Sequence, residues 1–596
     1  MRKVSALDRV TDEFVDGLLD HVPELAIDMG VPLRENTISD FSPEGAQELR
    51  ALYEQALTRA EQVEDEDSVD AVTRKAFTWD LQNHVELDEA GLLVGVLNNI
   101  GSPVQMIRDP FTLMPTDTQA QWEDIVRRVS EVPKGYSTYM RGLEWAVKNG
   151  HAPSRVQTEF ALRDLAAQGG SQDPYARLLK EFDSSEVAEQ EALRARLEEA
   201  VAGAQKATGE FRAWLKDEIA PVATNRDAVG RENYILLSAN FLGKKINPEE
   251  TYEWALEELR GIHERQQAIV SDLYGEGVTV AEAFERLNND PDHQVHGTVN
   301  LTRWMQQTSD EAVEYLADRH FTVTDEMRRL SAMISPAGDG GIFYTPPTDD
   351  FSRPGTMWWA VPPGVEVFHT WQEKTTVYHE GMPGHHMQLA RAVSMKDSLN
   401  TWRRQLCWFS GHGEGWALYA EELMDELGFL RHPAEQLGML DAQRLRAARV
   451  LVDIGLHLGL QKPSPAYLAS IGISEDAFKA ALETSPYVSL GEPEVGPGVW
   501  DRNDLWAFMN LNVAMNPKFL EFETTRYLGW AGQASSYKVG QRVWQELRAD
   551  WVAKHQAGAT ASAGLPDESV LREFHDTALA LGGLPLEVLE DVMRNA

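Results

Sequence analysis

Three of the chain's sixteen histidines fall in one short stretch, Val377–Ala390, VYHEGMPGHHMQLA, and Glu380 directly follows the first of them, His379. A hydrolytic zinc site takes three protein ligands, histidine or carboxylate, and keeps one position open for water. The metal lowers that water's pKa towards ~7 and polarises the scissile carbonyl. A carboxylate beside the water takes its proton. The helical pattern HExxH supplies two histidines one turn apart, with the glutamate after the first as base. His379-Glu380 opens that pattern, but position 383 is Pro383, and the next histidines are His385 and His386.

In a straight helix at ~3.6 residues per turn, position i+6 points to the far side, and i+7 lies roughly 10 Å further along. Neither suits two ligands that must each sit ~2 Å from one metal. Pro383 cannot donate to the carbonyl of His379 and would clash with it, while Gly381 and Gly384 tolerate unusual backbone angles. The sequence therefore predicts a helix broken or bulged between Gly381 and Gly384. Looping out two residues brings His385 to the place of the second ligand, with His386 as the alternative ligand or a neighbouring, substrate-facing group. The competing reading is a histidine cluster at a Gly-Pro turn.

The third ligand is sought in GHGEGWALYAEELMD, Gly411–Asp425. Glu414 and Glu421 stand seven apart and share a helix face. Glu414 is chosen because Gly413 and Gly415 flank it and permit close approach. Glu421 and Glu422 read as solvated acids, and His412 as a cleft-lining group. Further along, Arg449, Asp453 and His457 recur at i, i+4 and i+8 on one face. They suit a carboxylate that orients a ligand histidine, a histidine that polarises the substrate carbonyl, or a satisfied buried network. Tyr537, with Tyr527 second, is the candidate donor to a developing oxyanion. Lys538 and Arg353 are candidates for a substrate carboxylate, against plain surface roles.

The elements that must position these groups are mostly helices. Residues 1–30 read as an amphipathic helix with Val10, Phe14, Leu18 and Leu19 on one face. Ser42-Pro43 and Asn247-Pro248-Glu249-Glu250 are helix starts. Residues 118–131, 133–149 and 153–168 read as three short helices, and Ser184–Ile219 as one long helix. Gly169-Gly170-Ser171 marks a break. Ile334–Pro363 is rich in Gly, Pro and aromatics and predicts a β-ribbon, with strands near Gly341–Tyr344 and Thr356–Val361. An exposed strand edge would let a peptide substrate lie alongside it.

The blocks HEGMPGHH, GEGWALYAEE, RAARVLVDIGLHLG (Arg446–Gly459) and GQASSYKVG (Gly532–Gly540), in this order, with IFYTPPTDDFSRPG (Ile342–Gly355) upstream of them, resemble the bacterial domain-of-unknown-function 885 family. The resemblance implies a mostly helical protein, similar in plan to the thimet-oligopeptidase, carboxypeptidase Taq and angiotensin-converting-enzyme group of zinc peptidases.

The 55 basic and 94 acidic residues leave a net charge of −39, which argues against nucleic acid and anionic membranes as partners. A single cysteine, Cys407, excludes an internal disulfide framework. No run reaches the ~18 apolar residues of a membrane span, and the start of the chain carries no apolar leader, so the cytoplasm is the expected compartment. The expectation is a mainly α protein with two lobes around a central cleft and a small ribbon on the cleft wall. Its regions would be 1–170, 171–332 and 333–596, integrated as one family domain. The expected activity is zinc-dependent hydrolysis of short peptides by a monomer or homodimer, with one metal per chain. His379, His385 and Glu414 would be the ligands and Glu380 the base. A hydrolase of non-peptide amides or esters, and a metal-free helical binding protein, are the alternatives.

Overall fold

The computed structural model describes residues 2–170, 172–335, 341–362, 364–556 and 565–596. Among these residues the chain forms 24 α-helices and five short strands, so the fold is mainly α. Ser171, residues 336–340 of the expected ribbon and Pro363 lie outside the described residues.

Local signals set several helix starts. Ser42 caps the helix Pro43–Glu61 by accepting from the Gly45 amide, and Asn247 caps Pro248–Tyr274 by accepting from Glu250. Ser5 forms a capping box with Asp8 ahead of Ala6–His21, whose Val10, Phe14, Leu18 and Leu19 are all buried. Pro133 does not end a helix. It lies inside the single helix Gln119–Lys148, where a proline costs about 3 kcal/mol. That helix buries Ile125, Val129, Val132, Tyr136, Tyr139 and Leu143 on one stripe, and each such side chain contributes roughly 1.5–3 kcal/mol. Burial therefore outweighs the proline. The partner helix is Glu191–Trp214, which starts later than expected and is continued by a π turn, Leu215–Ile219.

The ribbon has three strands. Gly355–Trp359 lies in the middle, parallel to Leu330–Ile334 and antiparallel to Phe343–Thr345, with Tyr344 opposite Met357. Phe343–Thr345 is an edge strand. The strand Leu330–Ile334 was not expected from sequence. A second pair joins Gln294–His296 to Val367–His369.

Two helices, Ser410–Glu426 and Ser536–His555, pack with unusual closeness. A Cβ on Gly415 would sit 2.4 Å from the carbonyl carbon of Gly540, and one on Gly540 would sit 2.0 Å from the Gly411 oxygen. Only glycine permits that approach. It brings the start of one helix, with Tyr537, against the N-terminal part of the other, with Glu414.

Candidate metal centre

The helix Thr370–Glu380 stops at Glu380, and a new helix, His385–Ser394, starts at His385. Gly381–Gly384 form a full break, as the proline demands, and not a bulge within one helix. The Gly384 amide donates back to the Tyr378 carbonyl at 3.1 Å. The Trp416 indole Nε1 donates to the carbonyls of Pro383 and Gly384 at 2.9 and 3.2 Å. A Cβ at Gly384 would lie 1.9 Å from the His379 oxygen.

The break turns His385 back towards His379, whose rings stand 4.9 Å apart and perpendicular. Glu414 reaches both: its Oε2 lies 3.3 Å from His379 Nε2 and 3.6 Å from His385 Nε2. One ligand atom from each of His379, His385 and Glu414 falls within 4.8 Å of the others. His379 Nδ1 donates to Glu421 Oε1 at 2.7 Å, and Thr375 Oγ1 donates to Glu421 Oε2 at 2.6 Å. The carboxylate fixes the tautomer and leaves Nε2 facing the cluster.

Charge is concentrated here. Burial opposes ionisation of His379, but Glu414 and Glu421 outweigh it and push the imidazolium pKa up to about 10. Glu414 is buried as well, yet its contacts with the two histidines hold it well below the usual carboxylate range. Burial raises the Glu380 carboxyl, partly offset by His385, His379 and Arg446. Glu380 Oε2 is buried without a hydrogen-bond partner among the described residues, which is costly for a carboxylate, and Glu414 Oε2 has only the two imidazoles facing it. Two imidazoles and a carboxylate in one buried cluster, beside the unpartnered Glu380 oxygen, fit a divalent metal with a base beside it.

The cluster opens on a cavity of about 370 Å³, lined also by Phe343, Tyr344, Trp408, Arg446, Arg449 and Tyr537. The edge strand is thus one wall, as expected. Burial and the Glu414 charge raise the Tyr537 hydroxyl pKa, so it stays protonated as a donor. The Arg449 guanidinium stacks 5.0 Å from the Tyr537 ring and is itself held by Tyr527 and Glu523, each at 2.7 Å.

A family described as "Bacterial protein of unknown function (DUF885)" matches residues 23–593. The chain belongs to this family. Two solved structures share the DUF885 chain's fold. A "putative lipoprotein" from Colwellia psychrerythraea is 20% identical, with a TM-score of 0.79 over 99% of this chain and 98% of its own. A "putative lipoprotein of unknown function" from Shewanella oneidensis is 15% identical, with a TM-score of 0.70 over 99% and 100%. No curated protein matches. The likeness in plan to thimet oligopeptidase and its relatives rests on the sequence motifs alone. Among the described residues no helix is long and apolar enough to cross a membrane.

Several expected site residues of the DUF885 chain stand elsewhere. His386 is no ligand: Nε2 donates to the Met327 carbonyl at 2.7 Å, Nδ1 accepts from the Tyr344 hydroxyl at 2.8 Å, and burial lowers its pKa to about 4. His412 turns from the cavity to accept from Gln388 at 2.8 Å and pack on Trp544. His457 donates to the Tyr527 carbonyl at 2.9 Å, and Asp453 accepts from Tyr234 at 2.7 Å and from the Gly532 amide at 3.1 Å. Both belong to a buried network that anchors the Gly532 turn, so His457 cannot reach a substrate. Tyr527 is likewise fully buried, donating to Glu523 at 2.6 Å. Lys538 is neither cavity-lining nor superficial: it is buried with Gln443, Gln541 and Glu258. Arg353 lies in an exposed loop and reaches the Pro346 carbonyl at 3.5 Å. Conversely Glu421, read as a solvated acid, is 1% exposed and holds His379. Its seven-residue spacing from Glu414 was the available signal.

Proposed function

We propose that this DUF885 chain is a zinc-dependent peptidase acting on short peptides. The convergence of His379, His385 and Glu414 at a cavity wall, with Glu380 beside them, carries the reading. A metal held by the three would supply a water of pKa ~7 and polarise the scissile carbonyl. Glu380 is the base: its raised pKa suits it to take the water's proton and return it to the leaving nitrogen. Tyr537 donates to the oxyanion as it forms. The edge strand Phe343–Thr345 offers backbone groups to an extended substrate.

The test is metal content and peptide cleavage in wild type, His379→Ala and Glu380→Gln, purified without a histidine tag. One zinc per chain, lost in His379→Ala and kept in Glu380→Gln while cleavage of a peptide library falls by roughly 10²–10⁴-fold, is expected. Full activity in Glu380→Gln sinks the mechanism. Turnover of small non-peptide amides in place of peptides shifts the substrate class. A chain that takes up no zinc is a helical binding protein. Compartment is a separate proposal: the sequence favours the cytoplasm, whereas the description of both solved relatives points to anchored proteins. Fractionation of host cells decides it.

A further inference from the structure

The cavity beside the metal cluster holds two arginines in very different states. Arg449 is compensated by Glu523 and Tyr527. Arg446, one turn earlier on the helix Pro433–Leu458, also lines the cavity. Its Nη1 donates to the carbonyl of Ala442 in its own helix, at 3.2 Å. Its Nε is buried without a partner, and no aspartate or glutamate among the described residues pairs with it. A half-buried guanidinium normally has an anion, since an unpaired buried charge is costly. Here Glu380 and Asp441 act on Arg446 only at a distance and neither forms an ion pair with it, and the cavity in front of it has room for an anion.

We infer that Arg446 anchors a carboxylate of the substrate, so that the substrates are small peptides, or amides of similar size, bearing a free carboxylate close to the bond that is cut. This rests on the hydrolase reading of the same site. The cavity sets the spacing: about 370 Å³ is at the small end for ligand sites and contains both Arg446 and the metal cluster. At ~3.3–3.6 Å per extended residue, one or two residues separate the anchored carboxylate from the scissile bond. Guanidinium and carboxylate meet through two parallel hydrogen bonds, which orients as well as binds. Phe343, Tyr344, Trp408 and Leu389 give the cavity an apolar stretch of wall, so an apolar or aromatic side chain next to the carboxylate is expected to find a place there.

The test separates this inference from the zinc-peptidase reading. Binding of apolar dipeptides as free acids and as C-terminal amides is measured calorimetrically on Glu380→Gln protein, and cleavage of the same pairs on wild type. The free acid is expected to bind roughly 10- to 100-fold more tightly than the amide, the range for a hydrogen-bonded charge. In Glu380→Gln/Arg446→Gln that ratio is expected to collapse towards one, and Arg446→Lys to restore part of it. Equal binding of acid and amide to the Glu380→Gln protein overturns the inference without needing any arginine variant. Efficient cleavage of amidated peptides by wild type also overturns it, while leaving the peptidase reading intact. A preference for the acid that is lost in Glu380→Gln/Arg446→Gln, alongside a zinc-loaded wild type that hydrolyses neither member of any pair, supports Arg446 as the anchor and removes the peptidase reading alone.

Discussion

Glu421 gives the sharpest test of the metal site because it touches the ligand and not the metal. Its carboxylate accepts from His379 Nδ1 at 2.7 Å and is 1% exposed. Glu421→Gln keeps the size. The amide oxygen can still accept from Nδ1, and Thr375 can turn its hydroxyl from donor to acceptor, so the fold should stand. What is lost is the charge. Charge-assisted hydrogen bonds are about twice as strong as neutral ones, and changing the partner of a ligand histidine typically costs roughly 10–100-fold in metal affinity, or about 1.4–2.8 kcal/mol. Zinc titration of metal-free protein against a chromophoric chelator should show a Kd raised by that factor with the stoichiometry still one. Glu422→Gln is the control, since Glu422 faces Arg265 at 3.9 Å and not the cluster. Wild-type affinity in Glu421→Gln, or equal weakening in both variants, refutes the argument.

Other outcomes follow from the same geometry. His379 in the metal-free chain has its pKa raised from 6.5 to about 10, so its proton stabilises the fold fully below pH 6.5, and that stabilisation is lost as pH rises through about 10. Zinc needs the neutral ring, so calorimetry in buffers of different ionisation heat should show proton release on zinc binding at pH 7, and apparent affinity should climb with pH towards 10; no proton release contradicts this. Gly384→Ala, whose Cβ would meet the His379 carbonyl at 1.9 Å, should displace His385 and lose stoichiometric zinc, with a cost of about 1–3 kcal/mol read by thermal unfolding. Tyr537→Phe should lower kcat by roughly 10²-fold with little change in KM; an unchanged kcat removes Tyr537 from the oxyanion site.

Much of the site was legible in the sequence because helix breakers and helix spacing are local. Pro383 between glycines announced the break, and the seven-residue step from Glu414 to Glu421 announced a shared face. What could not be read was direction on helices that are buried all round. Pro433–Leu458 is packed on nearly every side between Ala434 and His457, so apolar periodicity does not mark which arginine meets the cavity. Arg446 does so without an ion pair among the described residues, while Arg449 is tied up and Asp453 and His457 face away. The same holds for Tyr537 and Lys538, adjacent in sequence and buried in different surroundings. Pro133 misled for a related reason: the packing of Gln119–Lys148 against a distant helix decides its length.

The helix Ser410–Glu426 supplies Glu414 to the cluster, Glu421 to His379 and Trp416 to the carbonyls of the break. Residues 377–390 therefore do not make a portable motif. Grafted onto another scaffold by themselves, they would lose the clamp that holds the turn, and the two imidazoles would part. The smallest transferable unit is the pair of segments 370–394 and 410–426, with a glycine on a third helix to let the second one in. Sequence searches built on an unbroken HExxH helix would pass over such sites. A pattern that joins a proline-interrupted histidine pair to a downstream GEGW whose tryptophan is followed five residues later by an acid, as Trp416 is by Glu421, would find them.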